Sequence, residues 1–167
     1  MPNNIIIDQV TVDRINKLHP KIKKDVLDAV TECYNNNVHI RIVQGLRTFE
    51  EQDELYAQGR TKPGKIVTNS PGGKSWHNYG LGVDFCLLKE GNKISWSLEE
   101  DLDLDGQKDW GEVVAIFKRY GFGWGGDWMG KFKDYPHLDK TFGMSIRVAL
   151  EKYKAKEFDE EGYIKII

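Results

Sequence analysis

Two short stretches hold the residue types that could do chemistry. Ser75-Trp76-His77-Asn78-Tyr79-Gly80-Leu81-Gly82-Val83-Asp84 puts an imidazole and a carboxylate seven positions apart, among small and apolar residues. Asp134-Tyr135-Pro136-His137 adds a second imidazole, with a carboxylate three positions before it. His77, Asp84 and His137 are candidate metal ligands, and Asp134 is left over as a free carboxylate. A zinc ion held by three side chains keeps one position open for water, whose pKa falls towards about 7. Asp134, one short turn before His137, is placed to take that proton and pass it to a leaving amine. Such a site also wants a cation near the developing oxyanion, and Arg47 is the candidate by type. Singly, each histidine is more often structural than a ligand. It is the pair of His/Asp clusters that points to a hydrolytic zinc centre.

Composition sets the frame for that centre. The chain has 167 residues, 40% hydrophobic and 30% charged, which suits a single soluble domain over 1–167 with a core that needs no staples. A net charge of −2 argues against a general partner in nucleic acid or a membrane surface. Cys33 and Cys86 read as packing residues, too few for a disulfide framework. The N-terminal residues lack the basic and apolar segments of a secretory signal, and no apolar run nears the ~20 residues of a membrane span. The expectation is synthesis in the cytoplasm without membrane insertion.

The elements that must position the site follow from local patterns. Val12, Ile15 and Leu18 recur at helical spacing, with Thr11 as the expected N-cap. After His19, Pro20 suits the first turn of a second helix, whose stripe is Ile22, Val26, Ala29, Val30 and Cys33. Residues 38–44 alternate as a strand, and Arg47 emerges just past its end. Thr48 and Glu51 have the spacing of a capping box for a helix running to Gln58. Residues 60–74 form a loop carrying Arg60, Lys62, Lys65 and Lys74 and no acid, a positive rim for an anionic substrate or simply a solvated loop. Residues 81–88 read as a strand in which Asp84 interrupts an apolar run, and a carboxylate there is costly unless paired or bound to a metal. A last helix contains Ile146, Ala149, Leu150 and Tyr153, and residues 163–167 read as a final strand. The loose alternation of helices and strands indicates an α+β fold, a small antiparallel sheet with flanking helices.

Residues 101–112 match the twelve-position calcium loop. Asp101, Asp103, Asp105, Asp109 and Glu112 supply side-chain oxygens, Gly106 sits at the sharp turn, and Gln107 offers its carbonyl. The residues before it give barely one helical turn. The expectation is a loop with an exiting helix, inserted in the zinc domain.

The Ser75, His77, Gly80, Asp84 spacing with the later Asp134 and His137 resembles the zinc D-Ala-D-Ala carboxypeptidase and L-alanyl-D-glutamate endopeptidase family (peptidase family M15). Gln44-Gly45-Leu46-Arg47-Thr48, Gln52 with Leu55-Tyr56-Ala57-Gln58-Gly59-Arg60, and Trp124-Gly125-Gly126-Asp127-Trp128 resemble its L-alanyl-D-glutamate branch of phage endolysins and wall hydrolases. The resemblance implies a Hedgehog/D,D-peptidase-like fold, Zn2+ on His77, Asp84 and His137, Asp134 as base and then acid, and Arg47 on the scissile carbonyl. It also implies substrate contacts near Ser75, Gln52, Trp124 and Asp127. The implied substrate is the peptidoglycan stem peptide, cut at L-Ala-D-Glu by a monomer that reaches the wall after release. A D,D-carboxypeptidase with the same chemistry and a non-catalytic wall-binding module are the rival readings. Asp134 and Pro136 stand where carboxypeptidase members often have Glu and Trp, which favours the endopeptidase.

Overall fold

The structure, a computed structural model, describes residues 6–167; residues 1–5, part of the N-terminal stretch tested for a signal, lie outside the description. The elements are α1 (Gln9–Ile15), α2 (Pro20–Asn35), β1 (Ile40–Gln44), α3 (Phe49–Ala57), β2 (Gly82–Lys89), β3 (Lys93–Ser95), α4 (Asp109–Arg119), β4 (Gly123–Trp124), β5 (His137–Asp139) and α5 (Ile146–Lys154). A 3-10 turn, Trp76–Tyr79, precedes β2. The sheet runs β1-β2-β5-β4, with β3 on the far end of β2, and every pairing is antiparallel.

Central β2 carries the division between core and cleft. Val83, Phe85 and Leu87 are fully buried, as the period of two requires. They share one core with Ile22, Val26, Ala29 and Val30 of α2 and with Trp110, Val113 and Phe117 of α4. Phe85 packs on Trp110 at 4.4 Å between ring centroids. Burying a side chain of this size contributes about 1.5–3 kcal/mol. Between these core residues, Asp84 points to the other face.

Local chemistry explains most of the element starts. Thr48 and Glu51 form the capping box of α3. His19 caps α2 through its ring, Nδ1 accepting from Lys21 N at 3.1 Å. Asp8, not Thr11, caps α1; Thr11 is buried instead, and its hydroxyl accepts from Ile42 N at 3.1 Å, tying the helix to β1. A threonine that can serve a neighbouring strand gives up the cap to the better acceptor beside it.

The expected final strand does not form. Residues 163–167 make one bridge, Phe158 with Ile164. Ile164 is fully buried, and its carbonyl accepts from His19 Nε2 at 2.7 Å, while Tyr163 Oη donates to Lys17 O at 2.8 Å and Lys165 N to Glu157 O at 2.9 Å, so the tail is fastened by one buried side chain and a few hydrogen bonds rather than by a strand ladder. Both cysteines are free and buried, and burial pushes Cys33 up to about 12 and Cys86 to about 11, which keeps both thiols protonated. No helix among the described residues is long and apolar enough to cross a membrane.

Candidate metal centre and its cleft

His77, Asp84 and His137 come from three different elements and meet. His77 lies in the 3-10 turn that Ser75 caps, with Asn78 completing a capping box. That turn is tied to the end of β1: Arg47 N donates to His77 O at 2.9 Å, and Asn78 Nδ2 donates to Arg47 O at 3.1 Å. Asp84 and His137 are register partners across β2 and β5. Gly82 makes the room, since a Cβ there would stand 3.2 Å from His137 Cε1.

The donor set fits zinc. One oxygen, Asp84 Oδ1, lies 3.2 Å from His77 Nε2 and 3.4 Å from His137 Nδ1. All three ligand atoms fall within 4.8 Å of one another. Ligands bound at ~2.0–2.1 Å to a tetrahedral ion stand about 3.3 Å apart, so this spacing could accommodate zinc. The other nitrogen of each ring is also taken. His77 Nδ1 faces Gly45 O at 2.9 Å, and His137 Nε2 faces Asp139 Oδ2 at 2.7 Å. With an ion bound, each partner would hold the proton on the outer nitrogen and leave the inner lone pair to the shared centre. Burial alone would raise the Asp84 pKa, but the His77 and His137 imidazoles override it and hold the carboxyl well below its usual range. His137, disfavoured as a cation by burial, is raised to about 10 by Asp139 and Asp84.

Asp134 and Arg47 line the same cleft of about 500 Å³ as the three ligands. Burial, then the nearby Asp84 charge, push the Asp134 carboxyl up, while His137, His77 and Arg47 pull it back. A carboxyl raised in this way is a better proton carrier near neutral pH. Its backbone is pinned, because Asp134 N donates to Gly125 O at 3.1 Å. A Cβ at Gly125 would come within 2.1 Å of Asp134 O, so only glycine permits that approach. Arg47 is half-buried, and its Nη1 donates to Gln52 Oε1 at 2.8 Å.

The remaining expected site residues scatter. Ser75 lines the cleft. Gln52 is fully buried behind Arg47 and outside the cleft lining; its Nε2 donates to Ser70 O at 2.8 Å. Trp124 turns its indole away from the cleft to donate to Tyr135 O at 2.7 Å, and Trp110 Nε1 donates to the same carbonyl at 3.0 Å. Asp127 pairs with Lys118 at 2.6 Å, also outside the cleft. The aromatic walls are instead Trp76, Trp128 and Phe132. Asp139 was not anticipated. It stands two residues after His137, which in a strand places both side chains on one face, but the three-residue strand is too short to be read from the sequence.

The acidic loop forms two overlapping clusters, Asp101 with Asp103 and Asp109, and Asp103 with Asp105 and Glu112.

Comparison with known proteins agrees with this geometry. A family model described as D-alanyl-D-alanine carboxypeptidase matches residues 68–140. The peptidoglycan L-alanyl-D-glutamate endopeptidase CwlK of Bacillus subtilis (strain 168) is 51% identical over 122 residues, 73% of this chain and 72% of that protein. The L-alanyl-D-glutamate peptidase of Listeria phage A118 is 30% identical over 129 residues, 77% of this chain and 40% of the phage protein. Two solved structures share the fold. Serratia marcescens L-Ala D-Glu endopeptidase ChiX has a TM-score of 0.57 at 20% identity, covering 84% of this chain and 92% of its own. VanYB in complex with D-alanine-D-alanine has a TM-score of 0.54 at 19% identity, covering 94% and 93%. With half of the aligned residues identical to CwlK over most of both chains, and His77, Asp84 and His137 inside the matched family segment, this chain belongs to the D-alanyl-D-alanine carboxypeptidase and L-alanyl-D-glutamate endopeptidase family of metallopeptidases.

Proposed function

We propose that this protein is a zinc-dependent endopeptidase that cuts the L-alanyl-D-glutamate bond of the peptidoglycan stem peptide. The observation that carries the reading is the convergence of His77, Asp84 and His137 on one point, in a cleft that also holds Asp134 and Arg47. The choice of bond rests on the 51% identity to CwlK. His77, Asp84 and His137 hold the ion, and zinc bound there supplies a Lewis acid that polarises a carbonyl and acidifies water. Asp134 takes the proton of the attacking water and gives it to the D-glutamate nitrogen as the C–N bond breaks. Arg47, kept in place by Gln52, donates to the carbonyl oxygen as negative charge grows on it. Ser75 lies on the cleft wall beside the stem peptide. All of these residues come from one chain, so a monomer suffices. One relative is a phage peptidase, which favours release at lysis as the route to the wall.

Mass spectrometry of digested peptidoglycan tests the reading. New N-terminal D-glutamate is the expected product. Release of terminal D-alanine would make the protein a D,D-carboxypeptidase, and no product would make it a wall-binding module.

A second reading concerns calcium at residues 101–112. Asp109 is 1% exposed, yet its Oδ1 has no hydrogen-bond partner among the described residues, and neither has the buried Glu112 Oε2. Burial, then the Asp105, Asp103 and Asp109 charges, push the Glu112 carboxyl up to about 7. Unsatisfied buried carboxylate oxygens are costly, and a hard cation with oxygen ligands satisfies them. The loop leads straight into α4, where Trp110 donates to the carbonyl between Asp134 and His137. Calcium therefore acts on the cleft by fixing the start of α4. Calorimetric titration of chelator-treated protein with calcium should give saturable heat; no heat sinks the site. At fixed zinc, activity should rise with calcium, and Trp110→Phe should bind calcium without that rise.

A further inference from the structure

Of the four cations in the loop over residues 60–74, the structure leaves one available to a ligand in the cleft. Arg60 donates to Tyr56 O at 2.7 Å and to Thr68 O at 3.0 Å, and its guanidinium lies 3.9 Å over the Tyr56 ring. Lys62 is paired with Glu54. Lys65 is exposed and outside the cleft lining. Lys74 lines the cleft beside Ser75, and no carboxylate of the described residues lies within 4.0 Å of its ammonium.

The base of this lysine is held firmly, three residues before His77. Lys74 N donates to Pro71 O at 3.0 Å. The preceding Gly73 is fixed on both sides, its N donating to Asn78 Oδ1 at 3.0 Å and its carbonyl accepting from Tyr79 Oη at 2.7 Å. A long flexible stem thus rises from a fixed point on the wall of the metal cleft. Arg47, the other lining cation, is already engaged with Gln52.

The substrate chemistry gives that charge a task. In a stem peptide the chain continues from D-glutamate through its γ-carboxyl. The α-carboxyl stays on the carbon that bears the scissile nitrogen, either as a free carboxylate or, in some walls, as an amide. A cation that meets it must line the cleft holding the reacting bond. We propose that Lys74 forms a subsite for the free α-carboxylate of the departing D-glutamate, so that the protein prefers D-glutamate stems to α-amidated D-isoglutamine stems. This rests on the endopeptidase reading. An ammonium–carboxylate hydrogen bond is charge-assisted, and the neutral amide cannot replace it.

The test uses two peptides, N-acetyl-L-alanyl-γ-D-glutamyl-L-lysine and its α-amidated D-isoglutamine counterpart, with zinc-loaded wild type, Lys74→Gln and Lys74→Arg. A bond of this class sets an expected wild-type preference of about tenfold in kcat/KM for the free acid, carried by KM. Lys74→Arg should keep the preference. Lys74→Gln should reduce it to within about twofold, with zinc content and melting temperature as in the wild type. A wild type that cuts both peptides equally, or a Lys74→Gln protein that keeps the preference, overturns the subsite while leaving the endopeptidase reading intact. Failure of the wild type to cut either peptide overturns the endopeptidase reading, and the subsite falls with it.

Discussion

Asp84 and His137 face each other in the antiparallel register of β2 and β5, with Asp84 Oδ1 3.4 Å from His137 Nδ1. Sheet pairing therefore sets the spacing of two of the three proposed zinc ligands. The third, His77, arrives on a turn hydrogen-bonded to the end of β1, the strand on the other side of β2. A centre built on two paired strands and a turn fastened beside a third starts from a rigid frame, which is what precise metal geometry needs.

Asp139 should tune zinc affinity through His137. Its carboxylate holds the outer nitrogen at 2.7 Å. Outer-shell partners of this kind are worth about 10–100-fold in metal affinity. Asp139→Ala should raise the zinc dissociation constant within that range, measured by competition with a chromogenic chelator. An unchanged constant would show that the hydrogen bond does not orient the ring.

Gly125 should be intolerant of even one methyl group. The added Cβ would meet the Asp134 carbonyl, a backbone atom that cannot swing aside. Gly125→Ala should displace the base and lower kcat by about 10²-fold, the scale of lost general-base catalysis, with zinc still bound. Wild-type kcat in this variant would mean that Asp134 does not need its present position.

Gln52 should act through Arg47. Its carboxamide accepts from the guanidinium and donates to Ser70 O, with no exposure of its own. Gln52→Met keeps the volume and removes these bonds, together with a longer one from Nε2 to Thr68 Oγ1 at 3.4 Å. Leaving such groups unpaired costs about 1–3 kcal/mol of stability. Removing an oxyanion donor costs about 10²–10³ in kcat, and loosening one should cost about tenfold. Kinetics with a purified stem peptide should show a fall in kcat with KM little changed. A change in KM alone would return Gln52 to the substrate-binding role that the sequence implied.

His19 should make the fold sensitive to mild acid. Neutral imidazole is required, because Nδ1 accepts from Lys21 N while Nε2 donates to Ile164 O. Burial lowers its pKa from 6.5, only partly offset by the Ile164 carbonyl and by Asp159 and Glu161. The unfolded chain thus takes up the proton first as pH falls. The stabilisation is complete above 6.5 and is lost as pH drops below it, with a slope of at most about 1.4 kcal/mol per pH unit. Urea midpoints between about pH 7.5 and pH 5 should fall in the wild type and fall less in His19→Asn, which keeps a capping oxygen. Parallel profiles would remove His19 as the cause.

Much of the site was legible because its residues break local rules. Asp84 in an apolar strand demanded a positive partner, and the Thr48–Glu51 box and the spacing of residues 101–112 are patterns complete within a few residues. What stayed hidden was set by tertiary contacts. The three-residue β5 is too short to show a period, so its Asp139 had no visible face. Trp124 and Trp128 are four residues apart and look equivalent in sequence, yet the first pins Tyr135 O and the second lines the cleft. The tail from Tyr163 to Ile167 alternates like a strand, yet it forms a single bridge, Phe158 with Ile164, and Ile164 packs under His19 instead. The loop cations looked like one positive rim until Tyr56 and Glu54 took up two of them.

The central claim is that His77, Asp84 and His137 hold zinc while Asp134 moves the proton. Zinc content and stem-peptide hydrolysis measured together on Asp134→Ala test it most directly. The expected result is wild-type zinc stoichiometry with hydrolysis reduced by at least about 10²-fold, the lower end for a lost general acid–base. Full hydrolysis by the zinc-loaded variant, or loss of zinc from it, would contradict the assignment.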